Sequence, residues 1–349
     1  MEIKKILVIR FRQMGDAVLA TPLLNTLRHN YPMAQIDFVL NERIAPLFEG
    51  HPSISHIITF SDQERHHTFT YLKKVWRIVR ETHYDVIIDM RSTVNTMLFA
   101  AFSPCSVYRI GIRKPYTRFI FNHRLDGCAD NENMIDHNLK LLSPLGQMDV
   151  QKSMTLQITE QECLDFCQYM QRQGLNFNHP IMLAGVTAKL ANKTWAEERM
   201  IETLRRFVAA YPSVQIIFNF APGQEAENVH RIYDALEKHP NLHIDIEAKS
   251  MRQLAAMAAN CTFYFGNEGG ARHIAQAMGL PSLVVCSPTA SKVTWLPEND
   301  KILTRGIAAI DLSCQANELT YEEQYALITV DVVWERLVDF YRQVVKEFD

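Results

Sequence analysis

Short apolar runs rich in β-branched residues alternate with stretches of helical spacing along the whole chain, and this alternation constrains the fold more than any single residue. In the first half, KKILVIRF (4–11), QIDFVL (35–40), HIITF (56–60), YDVIIDM (84–90) and VYRIGI (107–112) read as strands. Ala17 to Arg28 reads as a helix, as does TYLKKVWRIVRE (70–81) with Leu72, Val75, Trp76 and Val79 on one side. The second half repeats the scheme with strands at 180–186, 214–220, 242–247, 261–267 and 281–287 and helices at 196–210, 224–238, 250–259 and 269–278. Near-continuous apolar strands between helices predict parallel sheets covered on both faces. Two such series in 349 residues predict an α/β chain of two doubly wound Rossmann-like domains with their sheets facing across a cleft. No Gly/Ser linker marks the boundary. It is expected between 160 and 180, giving domains 1–170 and 171–329. Val333, Leu337, Tyr341, Val344 and Phe348 then put a helix over 330–349, packed on the domains.

Composition narrows the function classes. A net charge of -3 argues against a general nucleic-acid binder. The seven cysteines form no CxxC pair, and the thirteen histidines show no ligand spacing, so no metal site is expected. His66, His67 and His137 read as surface or hydrogen-bonded residues. An odd cysteine count without a framework suggests reduced thiols and a cytoplasmic address. The N-terminal run is interrupted by Arg10 and Arg12 too soon for a signal peptide, and no apolar stretch reaches membrane-spanning length.

Four constellations can carry chemistry. Gly15-Asp16 falls after the first strand, where open parallel sheets gather ligands. Gly15 permits a tight turn, and Asp16 either caps the helix or faces the ligand. The dinucleotide fingerprint GxGxxG is absent there. The second constellation is Gly266 to His273, again between a strand and a helix. The backbone N–H groups of Gly269 and Gly270 suit an anion such as a diphosphate, and Glu268 suits ribose or sugar hydroxyls. Thr187 and Lys193 form the third, after the first strand of the second half, where a lysine neutralises phosphate or simply meets solvent. Glu225 follows the next strand, as a ribose ligand or an ordinary first-turn glutamate. The fourth is the basic stretch from Arg109 to Arg124, which holds Arg113, Lys114 and Arg118 and no acidic residue. It suits an anionic acceptor, lipid headgroups or solvent equally.

Taken in order, these stretches resemble glycosyltransferase family 9, the heptosyltransferases of lipopolysaccharide core assembly. GDAVLATP (15–22), Lys193-Thr194-Trp195, EGGARHIAQAMGLP (268–281) and Pro288-Thr289 carry the resemblance. YDVIIDMR (84–91), RIGI (109–112) and HNLKLLSPLG (137–146) are weaker echoes. Two positions depart from the family pattern. Glu268 stands where Asp is usual and Gly269 where Ser or Thr is usual.

The resemblance implies a GT-B fold and a metal-independent, inverting transfer of heptose from ADP-heptose to a lipopolysaccharide inner-core acceptor. ADP-heptose is the donor substrate, and no cofactor is implied. Asp16 would be the general base, and Lys193 would act with it. Thr187, Lys193, Glu225, Glu268, Gly269, Gly270 and His273 would hold the donor, and Gly15, Arg109, Arg113 and Lys114 the acceptor. A lipid-linked acceptor would place the enzyme in the cytoplasm or at the cytoplasmic face of the inner membrane, with 109–124 as the candidate contact. Three readings stay open beside this one: another nucleotide-sugar donor, a nucleotide-sugar epimerase of the same shape, and a non-catalytic binding homologue.

Overall fold

The computed structural model describes every residue except 1, 12, 130–131, 298–301 and 346–349, so Arg12 and Phe348 lie outside the described residues. Its internal contacts divide the chain into two compact units, Met1–Gln157 and Ile158–Asp349.

The first unit is built on six parallel strands: β1 (Lys5–Ile9), β2 (Gln35–Asn41), β3 (His56–Phe60), β4 (Val86–Asp89), β5 (Tyr108–Ile112) and β6 (His123–Leu125). They lie in the order β3-β2-β1-β4-β5-β6. In β1, Ile6 to Ile9 are wholly buried, because this strand has a neighbour on each edge and cover on each face. The helix expected from Ala17 to Arg28 is two helices, Met14–Val18 and Thr21–Asn30. Pro22, in the first turn of the second, has no N–H to continue the first helix, and its fixed φ suits a fresh start. The helix Thr68–Thr82 buries Tyr71, Val75 and Val79, whereas Trp76, expected on the core side, is 54% exposed.

The second unit repeats the order. Its strands are β7 (Ile181–Gly185), β8 (Gln215–Phe218), β9 (Leu242–His243), β10 (Phe263–Asn267), β11 (Ser282–Val285) and β12 (Thr304–Ile307). They run β12-β11-β10-β7-β8-β9, all parallel, which is the first sheet's strand order read from its other edge. Of the stretch 242–247, expected as a full strand, only Leu242–His243 pairs. The domain boundary expected at 170 falls instead at 157/158. Its cause is the helix Glu160–Arg172, which packs on Met251–Ala259 of the second unit. There Arg252 grips Glu162 at 2.6 Å and Asn260 donates to the Cys163 carbonyl at 2.9 Å. The last helix, Val330–Val344, lies on Glu197–Ala210 and buries Val333, Leu337, Phe340 and Tyr341 in the second core. Among the described residues, no helix is long and apolar enough to cross a membrane.

Two glycines let β7 and β10 approach each other where their chains leave the sheet. Gly266 has φ +153°, and a Cβ there would stand 2.4 Å from the Gly185 carbonyl oxygen. A Cβ on Gly185 would meet the Tyr264 hydroxyl at 2.1 Å. We therefore expect Gly266→Ala to destabilise the second unit by roughly 2–5 kcal/mol, combining backbone strain with overpacking. Gly269→Ser should leave thermal unfolding unchanged, since residue 269 is extended (φ −178°) and a Cβ there meets nothing within 4 Å. Equal unfolding midpoints for the two variants would refute this account.

Candidate functional site

Both sheets have their topological switch point between the first and fourth strands of the unit, and doubly wound sheets take ligands just beyond the carboxyl ends of such strands. In the first unit, Asp16 lies beyond β1 in the short helix Met14–Val18. It does not cap that helix: Gln13 is the N-cap residue, without a side-chain cap bond. The Asp16 carboxylate is buried, and its Oδ1 accepts from Arg10 Nη2 at 3.0 Å. Arg10 Nη1 donates to the Met90 carbonyl at 2.9 Å, at the end of β4. One buried guanidinium thus joins the two switch strands and fixes the carboxylate in orientation. Gly15, also buried, leaves this turn without a side chain.

Asp89 ends β4 with no exposed surface and accepts the Arg91 and Ser92 N–H groups at 2.9 and 2.8 Å. Burial pushes its carboxyl pKa above the ordinary value, against the opposing pull of those N–H donors. Its Oδ2 is buried without a hydrogen-bond partner. Neither Arg10 nor Asp89 was singled out from the sequence. The available signal was a charged residue closing an otherwise apolar strand.

Two cations of the basic stretch, Arg109 and Lys114, are spent on the fold itself. Arg109 donates to the carbonyls of Ile120 (2.9 Å), Pro104 (2.7 Å) and Ser106 (3.0 Å). Lys114 Nζ donates to the Arg91 and Ser92 carbonyls at 2.8 and 3.0 Å, which steadies the loop beyond β4. Arg113 points outward and pairs with Asp126 at 2.9 Å. Of the three cations expected at an acceptor, two therefore serve as backbone clamps, and Arg113 is the exposed one.

In the second unit Lys193 and Glu268, both predicted from the sequence, meet. Thr187 follows β7, Lys193 sits on the turn Ala191–Lys193, and Glu268 follows β10. Lys193 Nζ meets Glu268 Oε1 at 2.9 Å, with the carboxylate side chain 7% exposed and the lysine 28%. Asn267 holds this arrangement and was missed in the sequence. Its Oδ1 accepts from the Trp195 backbone N–H at 2.7 Å, and its Nδ2 donates to the carbonyls of Gly185 and Val186 at 3.1 and 2.9 Å. Trp195 itself is fully buried, with its indole N–H on the Ile328 carbonyl at 3.0 Å.

Gly269 caps the helix Gly270–Ala277, so the first N–H groups of that helix open beside Glu268. His273 Nε2 lies 2.9 Å from Arg272 Nη2. Because a guanidinium only donates, Nε2 accepts, and the proton of the neutral ring sits on Nδ1. Burial and the Arg272 charge hold His273 well below its usual pKa, so the ring is neutral. Both His273 Nδ1 and Thr187 Oγ1 are buried without a hydrogen-bond partner, two orphaned polar atoms flanking the Lys193–Glu268 pair in sequence. Glu225 stands apart, in the first turn of Gln224–Ala235 beyond β8, where it accepts the Ala221 N–H at 3.4 Å.

Comparisons agree with this architecture. The family model for glycosyltransferase family 9 (heptosyltransferase) matches residues 72–322. The chain is 23% identical over 308 residues to lipopolysaccharide heptosyltransferase 3 of Escherichia coli K12, covering 84% of this chain and 85% of that one. Among solved structures, a family 9 glycosyltransferase from Veillonella parvula superposes with a TM-score of 0.82 at 18% identity, covering 99% of each chain. The E. coli ADP-heptose lipopolysaccharide heptosyltransferase II gives 0.76 at 21% identity, over 97% of this chain and 99% of that one. The two Rossmann-like units are those of the GT-B fold, and with a family match over most of its length the chain belongs to glycosyltransferase family 9, the heptosyltransferases, and is a glycosyl-transferring enzyme.

Proposed function

We propose that this enzyme transfers heptose from ADP-heptose to a lipopolysaccharide inner-core acceptor in a single inverting displacement. The observation that carries the reading is the pairing of chemistry with topology. A buried, oriented carboxylate, Asp16, stands at one switch point. A lysine–glutamate pair beside an open helix N-terminus stands at the other. The acceptor hydroxyl gives its proton to Asp16 as its oxygen attacks the anomeric carbon. The bond from that carbon to the diphosphate oxygen breaks, and its electron pair leaves with ADP. Inversion follows because the attack and the departure occur on opposite faces in one step.

Lys193, Thr187 Oγ1 and the amides of Gly269 and Gly270 balance charge on the departing diphosphate. Glu268 and Glu225 take heptose and ribose hydroxyls, and His273 Nδ1–H supplies one more donor. The Lys193–Glu268 ion pair keeps the buried Glu268 carboxylate satisfied before the donor arrives. Sugar hydroxyls on Glu268 then free the ammonium for phosphate. No step passes through a metal or a cofactor. A nucleotide donor and a lipid-linked acceptor together put the reaction at the cytoplasmic face of the inner membrane, with Arg113 as one outward cation of the first unit.

The test presents ADP-, UDP- and GDP-linked sugars with and without heptose-deficient lipopolysaccharide. The expected result is nucleotide release that needs both ADP-heptose and acceptor, with the product's anomeric configuration opposite to the donor's by NMR. Turnover with another nucleotide sugar, conversion of donor without acceptor, or a retained configuration would each overturn the proposal.

A further inference from the structure

Beyond β6 the chain runs to the helix Met134–Lys140, and this stretch brings together three side chains that the transfer reaction does not use. Cys128, Glu132 and His137 each present one ligand-type atom, and the three atoms lie within 4.8 Å of one another. The side chains of His137 and Glu132 are only 9% and 10% exposed. His137 Nδ1 faces the Glu132 carboxylate at 3.7 Å and makes no hydrogen bond. A buried polar nitrogen left unpaired is destabilising, so its persistence calls for a ligand. Cys128 Sγ is turned into the same loop, 3.6 and 3.5 Å from the carbonyls of Ala129 and Glu132.

We propose that Cys128, Glu132 and His137 bind a divalent transition-metal cation of the zinc class, which ties the segment after β6 to the helix Met134–Lys140. Thiolate, imidazole and carboxylate together match zinc, whereas magnesium and calcium want oxygen ligands throughout. Bond lengths of about 2.0–2.3 Å put tetrahedral ligand atoms roughly 3.3–3.8 Å apart, so the cluster needs a contraction of about 1 Å. Three protein ligands leave the fourth position to water. Binding converts the Cys128 thiol to a metal thiolate and releases its proton to solvent.

The competitor is Lys140, whose ammonium pairs with Glu132 Oε1. Its side chain is 64% exposed in the last turn of the helix, so it can swing into water and yield the carboxylate. The site has a structural consequence. The next residue, Asn138, donates to the Leu19 carbonyl at 2.8 Å, so the helix held by the cation supports the turn that follows Asp16.

The experiment titrates chelator-treated full-length protein with Co²⁺ and Zn²⁺. The expected result is a thiolate-to-cobalt charge-transfer band in the wild type that zinc displaces at one equivalent. The band should vanish in Cys128→Ser, a change at a half-buried position. In Lys140→Ala the affinity should rise about tenfold, since a charged competitor for the Glu132 carboxylate is gone. Absence of the band in the wild type, its survival in Cys128→Ser, or unchanged affinity in Lys140→Ala would each overturn the site.

Discussion

Asp16→Asn should lower kcat at saturating donor and acceptor by about 10²–10⁴-fold, the usual contribution of a positioned general base. Asparagine is the informative replacement because it keeps the volume and an oxygen for Arg10 while losing the capacity to take a proton. Alanine would also leave the buried Arg10 guanidinium without the oxygen that accepts its Nη2–H at 3.0 Å, and so mix a larger stability defect into the kinetics. If Asp16 accepts the proton only as the transition state forms, kcat and kcat/KM fall together and donor affinity is unchanged. Circular dichroism and thermal unfolding matching the wild type would show that the loss is chemical. A folded Asn variant within about threefold of wild-type kcat would remove Asp16 from the base role.

Lys193→Ala carries the second large effect, a fall in kcat of about 10²–10³-fold as one charge donor to the leaving diphosphate is lost. The interpretation has to separate transfer chemistry from folding, because the same ammonium neutralises Glu268, a carboxylate with 6% exposure. Removing one partner of a buried pair strands the other, though the 28% exposure of the lysine side chain softens that penalty. Glu268→Gln should chiefly raise donor KM, and the double variant Lys193→Ala/Glu268→Gln resolves the question. It should regain the stability lost in Lys193→Ala but not the turnover. Recovery of both would reduce the pair to a structural ion bridge.

The alternation of apolar strands and helical stretches was legible because it reflects local spacing. Strands buried on both faces must be apolar along their middle, and β1, β4, β7 and β10 show this directly, with polar residues only at their ends. The edges were harder. His123–Leu125 and Thr304–Ile307 are short, partly polar strands with one neighbour each, so their sequences carry little burial pressure. The stretch 242–247 alternates like a strand, yet only two of its residues have a pairing partner. The helix Glu160–Arg172 shows its amphipathic spacing in sequence but does not announce which unit it covers. That was decided by Arg252 on a helix 90 residues later and by Asn260, which caps that helix.

By itself, the sequence determined the fold class, the family pattern and the placement of Asp16, Lys193 and Glu268 at strand ends, since each depends on local spacing or on motifs read in order. Tertiary structure alone decided the strand order, the Arg10 clamp that ties Asp16 to the end of β4, and the pairing of Lys193 with Glu268 across a separation of 75 residues. It also turned Arg109 and Lys114, which as a basic run could equally have met an acceptor, into donors for backbone carbonyls. The physical reason is common to all of these: a buried charge or carbonyl must find a partner, and which partner lies in reach is fixed by packing between distant segments.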